Sequence, residues 1–539
     1  MKYYTFDCGC KFRLLEEESD REIPLLDFSL NLENLNLECK KTWDLISSGN
    51  TKGCFQLESR LGRSMAKKLQ PSNIEQLSAL ISIMRPGCLE AMRDGKSVSN
   101  HFIDKKNGKE SIDYFDSCLE SVLLPTYGEM IYQEQAMEIA RIVAGFDLQE
   151  ADVLRKAIGK KKVDLMAKVK KSFLDGAKKT KATSIENAKE IFGWIEKSQR
   201  YSFNKSHAIS YAYNGYLSAY SKAHFPKIFF ASYLKYAKDK IDPQQEVREL
   251  VQNATEMGIE ISVPVLSFMN KHFCIKDNRI HFGLTDIKNV GDSVFKKLQN
   301  ITQENDLSNL SWSQCLFFIL DKITSTAAKA LISCGALDKY NKPRTEMLFE
   351  YDAVLELTKK EKEYICSLDL FEFNLIDILN ISLKKPRLNT NRKGVINNLI
   401  HTLENPPYSL ADKIEWICDT ETDLLGINLT HCRLDSYNMS NTNAECKDIT
   451  GLQPGAKIIM GVEVDNFNIV KIKNGPNKGS DMCFMTVRDS TGSCDSVILF
   501  TEQLTLYRNE LFEGNIIIIQ GKTAKNGGIV LDKIYKPRG

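Results

Sequence analysis

The spacing of apolar residues changes along this chain, and that change limits the folds open to it. Between Thr42 and Tyr236 apolar residues recur at three- and four-residue intervals, as in Ile74–Met84 (IEQLSALISIM), which predicts amphipathic helices. Between Ala456 and Lys536 the interval becomes two, with β-branched residues and Gly or Asn turns, which predicts five short strands. We therefore expect an α+β multidomain protein, mostly helical and ending in a small antiparallel β-barrel.

Composition bounds the number of domains and the setting. The 539 residues, 42% hydrophobic and 26% charged, provide material for roughly three to five domains. No apolar run reaches about 18 residues, so we expect no membrane contact, and the N-terminus lacks the pattern of a secretory signal. An odd number of cysteines, 15, favours reduced thiols in a cytoplasmic protein. We divide the chain into a cysteine-containing segment (1–45), a helical domain (46–236), a region with two Gly-centred turns (237–375), a connector (376–450) and the barrel (451–539).

A strongly basic segment lies within the helical domain. Residues 155–179 hold ten Lys or Arg residues and two Asp residues. Such a run is often only a solvated helix face. A nearly one-signed helical face repels itself unless a polyanion balances it, so phosphate binding is the sharper hypothesis.

A second cluster follows at Arg200–Tyr216 (RYSFNKSHAISYAYNGY). Cations, hydroxyls and aromatic rings together are what a nucleotide needs, for its phosphates, its oxygens and its base. Taken alone, a histidine near a helix start, such as His207, is more often a capping or core histidine.

The first segment contains Cys8-x-Cys10, with Cys39 further on. Thiolates at such turns bind zinc, so these three cysteines are candidate ligands of a structural Zn²⁺. The spacing differs from CxxC and no fourth ligand is evident in the sequence. Reduced cysteines of a hairpin are the alternative.

Three segments, in this order and at this spacing, resemble the alpha subunit of bacterial DNA polymerase III, a C-family replicative polymerase. They are Gly53–Gly87 (with FQLES and RPG), Thr126–Lys162 (with YQEQ and RKAIGKKK) and Tyr201–Pro226 (with FNKSHA). The resemblance covers roughly residues 40–535, the family's fingers to OB-fold. A split or phage-encoded form of that subunit would fit it, in the cytoplasm of a bacterium or of a phage host.

The resemblance implies DNA replication by a DNA-directed DNA polymerase, a nucleotidyltransferase that copies a DNA primer–template from dNTPs. It implies contacts to nucleotide or template phosphates from basic residues: Arg85, Arg155, Lys156, Lys160, Lys161 and Lys162. It implies that the incoming nucleotide is lined by the start of the FNKSHA segment: Asn204, Lys205, Ser206 and His207.

Three later features also resemble that family. The turn with Lys288 and Gly291 resembles a helix-hairpin-helix motif, whose backbone amides reach a DNA phosphate. The five residues Ser367, Leu368, Asp369, Leu370 and Phe371 resemble its sliding-clamp peptide, with Ser where Gln is usual. The barrel resembles its OB-fold, and the DNA-binding candidates there are Lys471, Lys473, Lys478 and Arg488. An ordinary helix–helix turn, a chance match and solubilising lysines are the alternatives.

The sequence departs from the family in one respect that matters for catalysis. In the family a palm precedes the fingers and holds two metal ions on an Asp-x-Asp pair and a later aspartate. No such pair precedes Gly53, and Phe6-Asp7 is followed by CGC rather than an apolar strand. We therefore expect no catalytic residue and no 3'-5' exonuclease in this chain, Mg²⁺ only in the assembled polymerase, and a separate palm-bearing chain as partner. The chain alone is predicted to be inactive.

A second reading remains open. The chain is then a non-catalytic DNA-binding or clamp-binding accessory protein derived from such a polymerase. An independent nuclease or metal enzyme finds no supporting carboxylate or histidine constellation in the sequence.

Overall fold

The computed structural model describes most of the chain and divides it into two units, Met1–Pro226 and Lys227–Gly539. The described residues are 3–14, 26–27, 35–160, 163–198, 202–302, 307, 309–368, 372–449, 451–472, 476–524 and 528–537. Helices predominate and a five-stranded closed barrel lies near the C-terminus, so the expected α+β class with a terminal antiparallel-type barrel is confirmed. The finer division into five parts stays a prediction.

The first unit is mainly helical. Its helices are α1 (Lys40–Ser48), α2 (Arg60–Leu69), α3 (Ile74–Ile83), α4 (Pro86–Glu90), α5 (Val98–Lys106), α6 (Glu120–Leu123), α7 (Gln133–Ala144), α8 (Leu148–Lys160), α9 (Val163–Thr180), α10 (Ile185–Ser198) and α11 (Lys205–His224). Its strands are β1 (Tyr3–Thr5), β2 (Lys11–Leu14), β3 (Leu26–Asp27), β4 (Met92–Arg93) and β5 (Lys96–Ser97). β1, β2 and β3 form one antiparallel sheet, and β4 pairs with β5 across an Asp-Gly turn.

Two packing groups build this unit. α7, α8, α9 and α10 enclose an apolar core that includes Ile139, Leu154, Phe173 and Phe192. α11 lies along α3 and α1 and buries Tyr216 completely. The helix boundaries follow local chemistry, since the Asn73 side chain caps α3 and Gly145, at φ 67°, ends α7 in the left-handed conformation.

The second unit joins a helical body to the barrel. The helices are α12 (Pro226–Tyr236), α13 (Pro243–Glu256), α14 (Asp292–Thr302), α15 (Trp312–Gln314), α16 (Ser325–Ser333), α17 (Arg344–Leu355), α18 (Lys359–Ser367), α19 (Leu375–Ser382), α20 (Thr390–Glu404), α21 (Ile414–Leu425) and α22 (Thr501–Leu506). The strands are β6 (Ile261–Ser262), β7 (Cys274–Lys276), β8 (Arg279–His281), β9 (Lys457–Lys471), β10 (Asp481–Asp489), β11 (Gly492–Leu499), β12 (Ile516–Thr523) and β13 (Ile529–Tyr535).

The barrel has the strand order β10-β11-β13-β12-β9, in which β11 and β13 are parallel. α22 connects β11 to β12. Inward side chains such as Val462, Val497 and Leu531 fill the interior and alternate with exposed ones. This is the topology of an OB-type barrel. Among the described helices, none combines the length and the apolar character needed to cross a membrane.

A buried ionic cluster supports the turn that leads into α7. The Glu129 carboxylate, 1% exposed, lies 2.5 Å from the Arg93 guanidinium and 3.1 Å from the Lys105 ammonium, which is 2% exposed. Gly128 precedes it at φ +81°, and an added Cβ there would meet the Asp113 carbonyl at 2.7 Å. The turn therefore requires glycine at position 128, and the buried Glu129 carboxylate requires both cations to balance its charge.

Replacing Glu129 by Gln should strongly destabilise the first unit. Lys105 would stay buried with a weaker balance of charge, and breaking a buried ion pair on one side costs about 3 kcal/mol. Urea denaturation followed by tryptophan fluorescence, to which Trp43 and Trp194 contribute from the first unit, measures the change. The control is Glu138→Gln, because Glu138 pairs with Arg141 on the surface of α7, where we expect less than about 1 kcal/mol. Equal midpoints for the two variants would contradict the assignment.

Candidate functional site

The Gln135 side chain organises the start of α7. Its Oε1 accepts hydrogen bonds from the backbone N–H groups of Ile131 and Tyr132, both at 3.0 Å. Its Nε2 donates to the Thr126 hydroxyl at 2.6 Å. One buried side-chain amide therefore makes hydrogen bonds to three groups of the preceding turn. These bonds fix the conformation of the turn and the orientation of Gln133 and Glu134, which follow it.

A backbone bridge joins this turn to a segment some seventy residues later. The Phe203 N–H donates to the Ile131 carbonyl at 2.9 Å, and the Gln133 N–H donates to the Phe203 carbonyl at 2.9 Å. The two segments run parallel at this bridge. The YQEQ and FNKSHA motifs are therefore brought together by backbone hydrogen bonds.

Glu134 then holds the first turn of α11. Its carboxylate accepts from the Asn204 side-chain amide at 2.8 Å and from the Lys205 backbone N–H at 2.9 Å. The Asn204 Oδ1 accepts from the His207 N–H at 2.9 Å and caps the helix. A carboxylate at a helix N-terminus also interacts favourably with the positive end of the helix dipole. Hydrogen bonding and the helix dipole therefore both stabilise this arrangement.

Two cationic side chains lie over aromatic rings of the same two segments. The Arg85 guanidinium lies over the Phe203 ring, 3.5 Å from its centroid. The Lys205 ammonium lies 5.8 Å from the centre of the Tyr132 ring and 4.0 Å from Glu75 Oε1. We call the resulting cluster the Glu134 face, and its members are Arg85, Glu134, Asn204, Lys205, Ser206 and His207.

The Glu134 face is accessible to a ligand. Arg85, Ser206 and His207 are exposed, while Asn204 and Lys205 are half-buried. His207 is therefore a surface residue, and its ring lies 5.3 Å from the Tyr211 ring on the same helix. A guanidinium, an ammonium, a hydroxyl and an imidazole in one cluster are suited to bind a phosphorylated ligand.

The basic helical segment is partly neutralised within α8. The Arg155 guanidinium and the Lys156 ammonium each lie 2.8 Å from the Asp152 carboxylate. Hydrogen bonds from Lys156 and Arg155 hold the pKa of Asp152 below its ordinary value. Lys160 is the last residue of α8, and its side chain lies outside the described part, as do Lys161 and Lys162 entirely.

The second unit holds the other predicted contacts. The Lys288 N–H donates to the Leu424 carbonyl at 2.9 Å, and its ammonium pairs with Asp423 at 2.6 Å on the surface. Gly291 comes directly before α14, and an added Cβ there would meet no atom within 4 Å. This turn is therefore open on its glycine side.

Of the five-residue clamp-peptide candidate, Ser367 ends α18 and Leu368 follows it, while Asp369, Leu370 and Phe371 lie outside the described residues.

In the barrel Lys471 and Lys478 are exposed, and Lys473 lies outside the described residues. Arg488 differs from them. Its side chain is only 13% exposed and binds Glu463 at 2.9 Å across two strands. We therefore assign Arg488 to the packing of the barrel, because little of its guanidinium is left for a strand of DNA.

The N-terminal cysteines gather around a histidine that the sequence did not reveal. Cys8, Cys10, Cys39 and His224 place one ligand atom each within 4.8 Å of all the others, and we call them the cysteine–histidine cluster. Burial lowers the pKa of His224, which favours neutral imidazole, and burial raises the pKa of Cys10 to about 11. His224 lies 185 residues from Cys39 in the sequence, so no local spacing could link it to the cysteines.

Comparison with known proteins adds family matches to this geometry. The family described as the bacterial DNA polymerase III alpha subunit finger domain matches residues 14–181, and a helix-hairpin-helix motif matches residues 258–347. Proteins named DNA polymerase III subunit alpha match most of the chain. That of Bacillus subtilis is 30% identical over 92% of this chain, that of Aquifex aeolicus 34% over 74%, and that of Borreliella burgdorferi 28% over 98%.

The chain spans less than half the length of these curated relatives. It covers 41% of the Bacillus protein, 33% of the Aquifex protein and 44% of the Borreliella protein. The similarity therefore concerns one portion of the relatives, which includes the finger and helix-hairpin-helix regions.

Replacing Glu134 by Ala should loosen the first turn of α11. Losing a hydrogen bond to a charged group costs about 1.5 kcal/mol, which corresponds to roughly tenfold faster amide exchange. Hydrogen–deuterium exchange of a peptide spanning residues 202–210 measures this. Glu138→Ala, on the exposed side of the same helix, should leave that peptide unchanged. Unaltered exchange in the Glu134 variant would remove the coupling between the two motifs.

Proposed function

Because the chain belongs to the family of bacterial DNA polymerase III alpha subunits, we propose that it supplies the nucleotide-gripping and DNA-gripping portion of a replicative DNA polymerase. The observation that carries this proposal is the Glu134 face, where two motifs some seventy residues apart meet through backbone and carboxylate hydrogen bonds. Its ligand would be an incoming dNTP.

The geometry suggests how the triphosphate would be held. The Glu134 carboxylate already occupies the N-terminus of α11, so the phosphates would be met by side chains rather than by the helix dipole. The Lys205 ammonium and the Arg85 guanidinium would neutralise phosphate charge, including charge that develops on the leaving pyrophosphate. His207 and Ser206 would donate hydrogen bonds from the exposed first turn.

DNA contacts would come from elements that read no sequence. Arg155 and Lys156 on α8, with the lysines that follow them, would bind backbone phosphates. The open turn at Gly291 would allow close approach of a phosphate to backbone amides, and Lys288 lies beside it. Exposed lysines of the barrel, Lys471 and Lys478, would follow a single strand. Binding of this kind weakens steeply with salt.

We further propose that the catalytic carboxylates come from a palm that lies outside these 539 residues. The 539 residues contain no Asp-x-Asp pair, and metal-assisted phosphoryl transfer needs closely spaced carboxylates to hold its Mg²⁺ ions. Phosphoryl transfer would then be a property of the assembly, with this chain orienting the nucleotide and the primer–template.

Primer extension tests both proposals. A palm-bearing partner mixed with this chain should extend a primer from dNTPs, and neither should do so alone. Lys205→Ala should then raise the KM for dNTP about tenfold, since one charge-assisted contact contributes about 1.5 kcal/mol. Lys189→Ala, which removes an exposed lysine from α10, serves as the control and should leave KM unchanged.

Other outcomes have clear meanings. Extension by this chain alone would overturn the separate palm. Salt-sensitive DNA binding without extension in the presence of the partner would instead identify a non-catalytic accessory protein. A KM unaffected by Lys205→Ala would remove the Glu134 face as the nucleotide site.

Clamp binding is a further part of the proposal and rests on sequence alone. Replacing both Leu370 and Phe371 by Ala should abolish retention of the chain on an immobilised sliding clamp, because an apolar pair at the end of such a peptide fills the groove. Phe373, 48% exposed and just outside the five residues, provides the matched control as Phe373→Ala. Equal retention of both variants would exclude the peptide as the clamp contact.

A further inference from the structure

We propose that the cysteine–histidine cluster binds one structural Zn²⁺ ion, which fastens the N-terminal β1–β2 hairpin and the start of α1 to the C-terminal end of α11. Its four side chains come from three separate parts of the sequence: Cys8, Cys10, Cys39 and His224. Three thiolates and one imidazole form one of the usual ligand sets of structural zinc.

The spacing of the ligand atoms fits a tetrahedral ion. Zinc lies about 2.3 Å from sulfur and about 2.0 Å from nitrogen, so tetrahedral geometry places sulfur and nitrogen about 3.5 Å apart. His224 Nε2 lies 3.2 Å from Cys8 Sγ and 3.8 Å from Cys39 Sγ. All four ligand atoms lie within 4.8 Å of one another. Only small side-chain adjustments are needed to enclose an ion.

The histidine is oriented as a ligand. Its Nδ1–H donates to the Tyr220 carbonyl one turn earlier, at 2.9 Å. This hydrogen bond fixes the tautomer and leaves the Nε2 lone pair facing the two sulfur atoms. Metal-binding histidines regularly use their second nitrogen in this way.

The cysteines are also held from outside the cluster. The Asn36 amide donates to Cys10 Sγ at 3.4 Å. Gly9, between the first two cysteines, has φ +82° and turns the chain so that both thiols face the same side. The turn is closed by the Gly9 N–H donating to the Phe6 carbonyl at 2.8 Å. Outer contacts of this kind are typical of a built metal site.

Cys39 is positioned by the helix it precedes. It is the N-cap residue of α1, and its side chain makes no capping hydrogen bond. The Trp43 indole N–H donates to the Leu37 carbonyl at 2.8 Å, and the Tyr216 hydroxyl donates to the Asn36 carbonyl at 2.6 Å. Segment 36–39 is thus fixed against α11.

The chemistry of the cluster indicates a structural ion. Four protein ligands leave no coordination position for substrate or water, and three of the four residues are buried. Rings of Phe6 and Phe12 pack edge-on against the imidazole, with centroids 5.1 and 5.8 Å away. α11 has 20 residues, so the cluster lies about 30 Å along the helix from Lys205. Direct participation in nucleotide chemistry is excluded by that distance.

Metal analysis of the full-length chain, purified without chelator, tests the binding. We expect about one zinc ion per chain, released to a chromogenic chelator only after the thiols are modified. Cys39→Ser should abolish zinc retention. Cys274→Ser removes a half-buried cysteine in the second unit and should retain it. Because Cys39→Ser risks misfolding, Co²⁺ is added to metal-free wild-type chain, where thiolate-to-cobalt charge transfer and tetrahedral d–d bands are expected.

Each contrary result is decisive. Zinc-free protein that gives no cobalt spectrum would overturn the metal site, as would a disulfide between two of the three cysteines. Zinc retention in both serine variants would place the ion elsewhere. The fastening role has its own readout, since zinc removal should speed hydrogen exchange in residues 3–14 while the barrel strands stay unchanged. If zinc is bound but its removal does not change hydrogen exchange in residues 3–14, the fastening role would be overturned, while the metal site itself would stand.

Discussion

The first unit depends on one carboxylate placed between two helices. Glu134 lies in the first turn of α7 and accepts hydrogen bonds from the Asn204 side chain and the Lys205 backbone at the first turn of α11. The first amides of a helix have no partner within it, and a charge that satisfies one of them from another segment fixes both segments at once. The segment held in this way also carries Phe203, over whose ring Arg85 lies, and the exposed His207.

Buried polar groups determine the geometry beneath that contact. Glu129 with its two cations, and Gln135 with two backbone N–H groups and the Thr126 hydroxyl, hold the turn before α7. Burying such groups contributes little net stability, because desolvation offsets most of the attraction. They exclude alternative conformations, however, since any other arrangement would leave a charge or an amide unsatisfied. The proposed nucleotide site would require this kind of specification, because several charged side chains would have to converge on one ligand.

The periodicity of apolar residues predicted the helices and strands, but it could not predict which side chains pair over long distances in the sequence. The helices α3 and α7 and the barrel strands follow from local spacing, and the order of YQEQ and FNKSHA supported the resemblance to the polymerase family. The Glu134–Asn204 hydrogen bond was not predictable, because the sequence alone does not single out one hydrogen-bond donor for a carboxylate in the first turn of a helix. Arg488 shows the same limit. Its alternation in β10 was visible, while its partner Glu463 lies on a strand whose register only the folded barrel defines.

α11 is held at both ends by different chemistry. At its first residue the constraint is a carboxylate and an asparagine cap, and at its last residue it is the histidine of the cysteine–histidine cluster. If a helix of this length were fixed only at its start, a small tilt would displace its far end. If it were fixed only at its far end, the same tilt would displace its start. Fixing the far end against the β1–β2 hairpin therefore restrains the tilt at Lys205, about 30 Å away. In the proposed function, the cluster would therefore help to position the nucleotide through the rigidity of one helix, although its residues lie far from the Glu134 face.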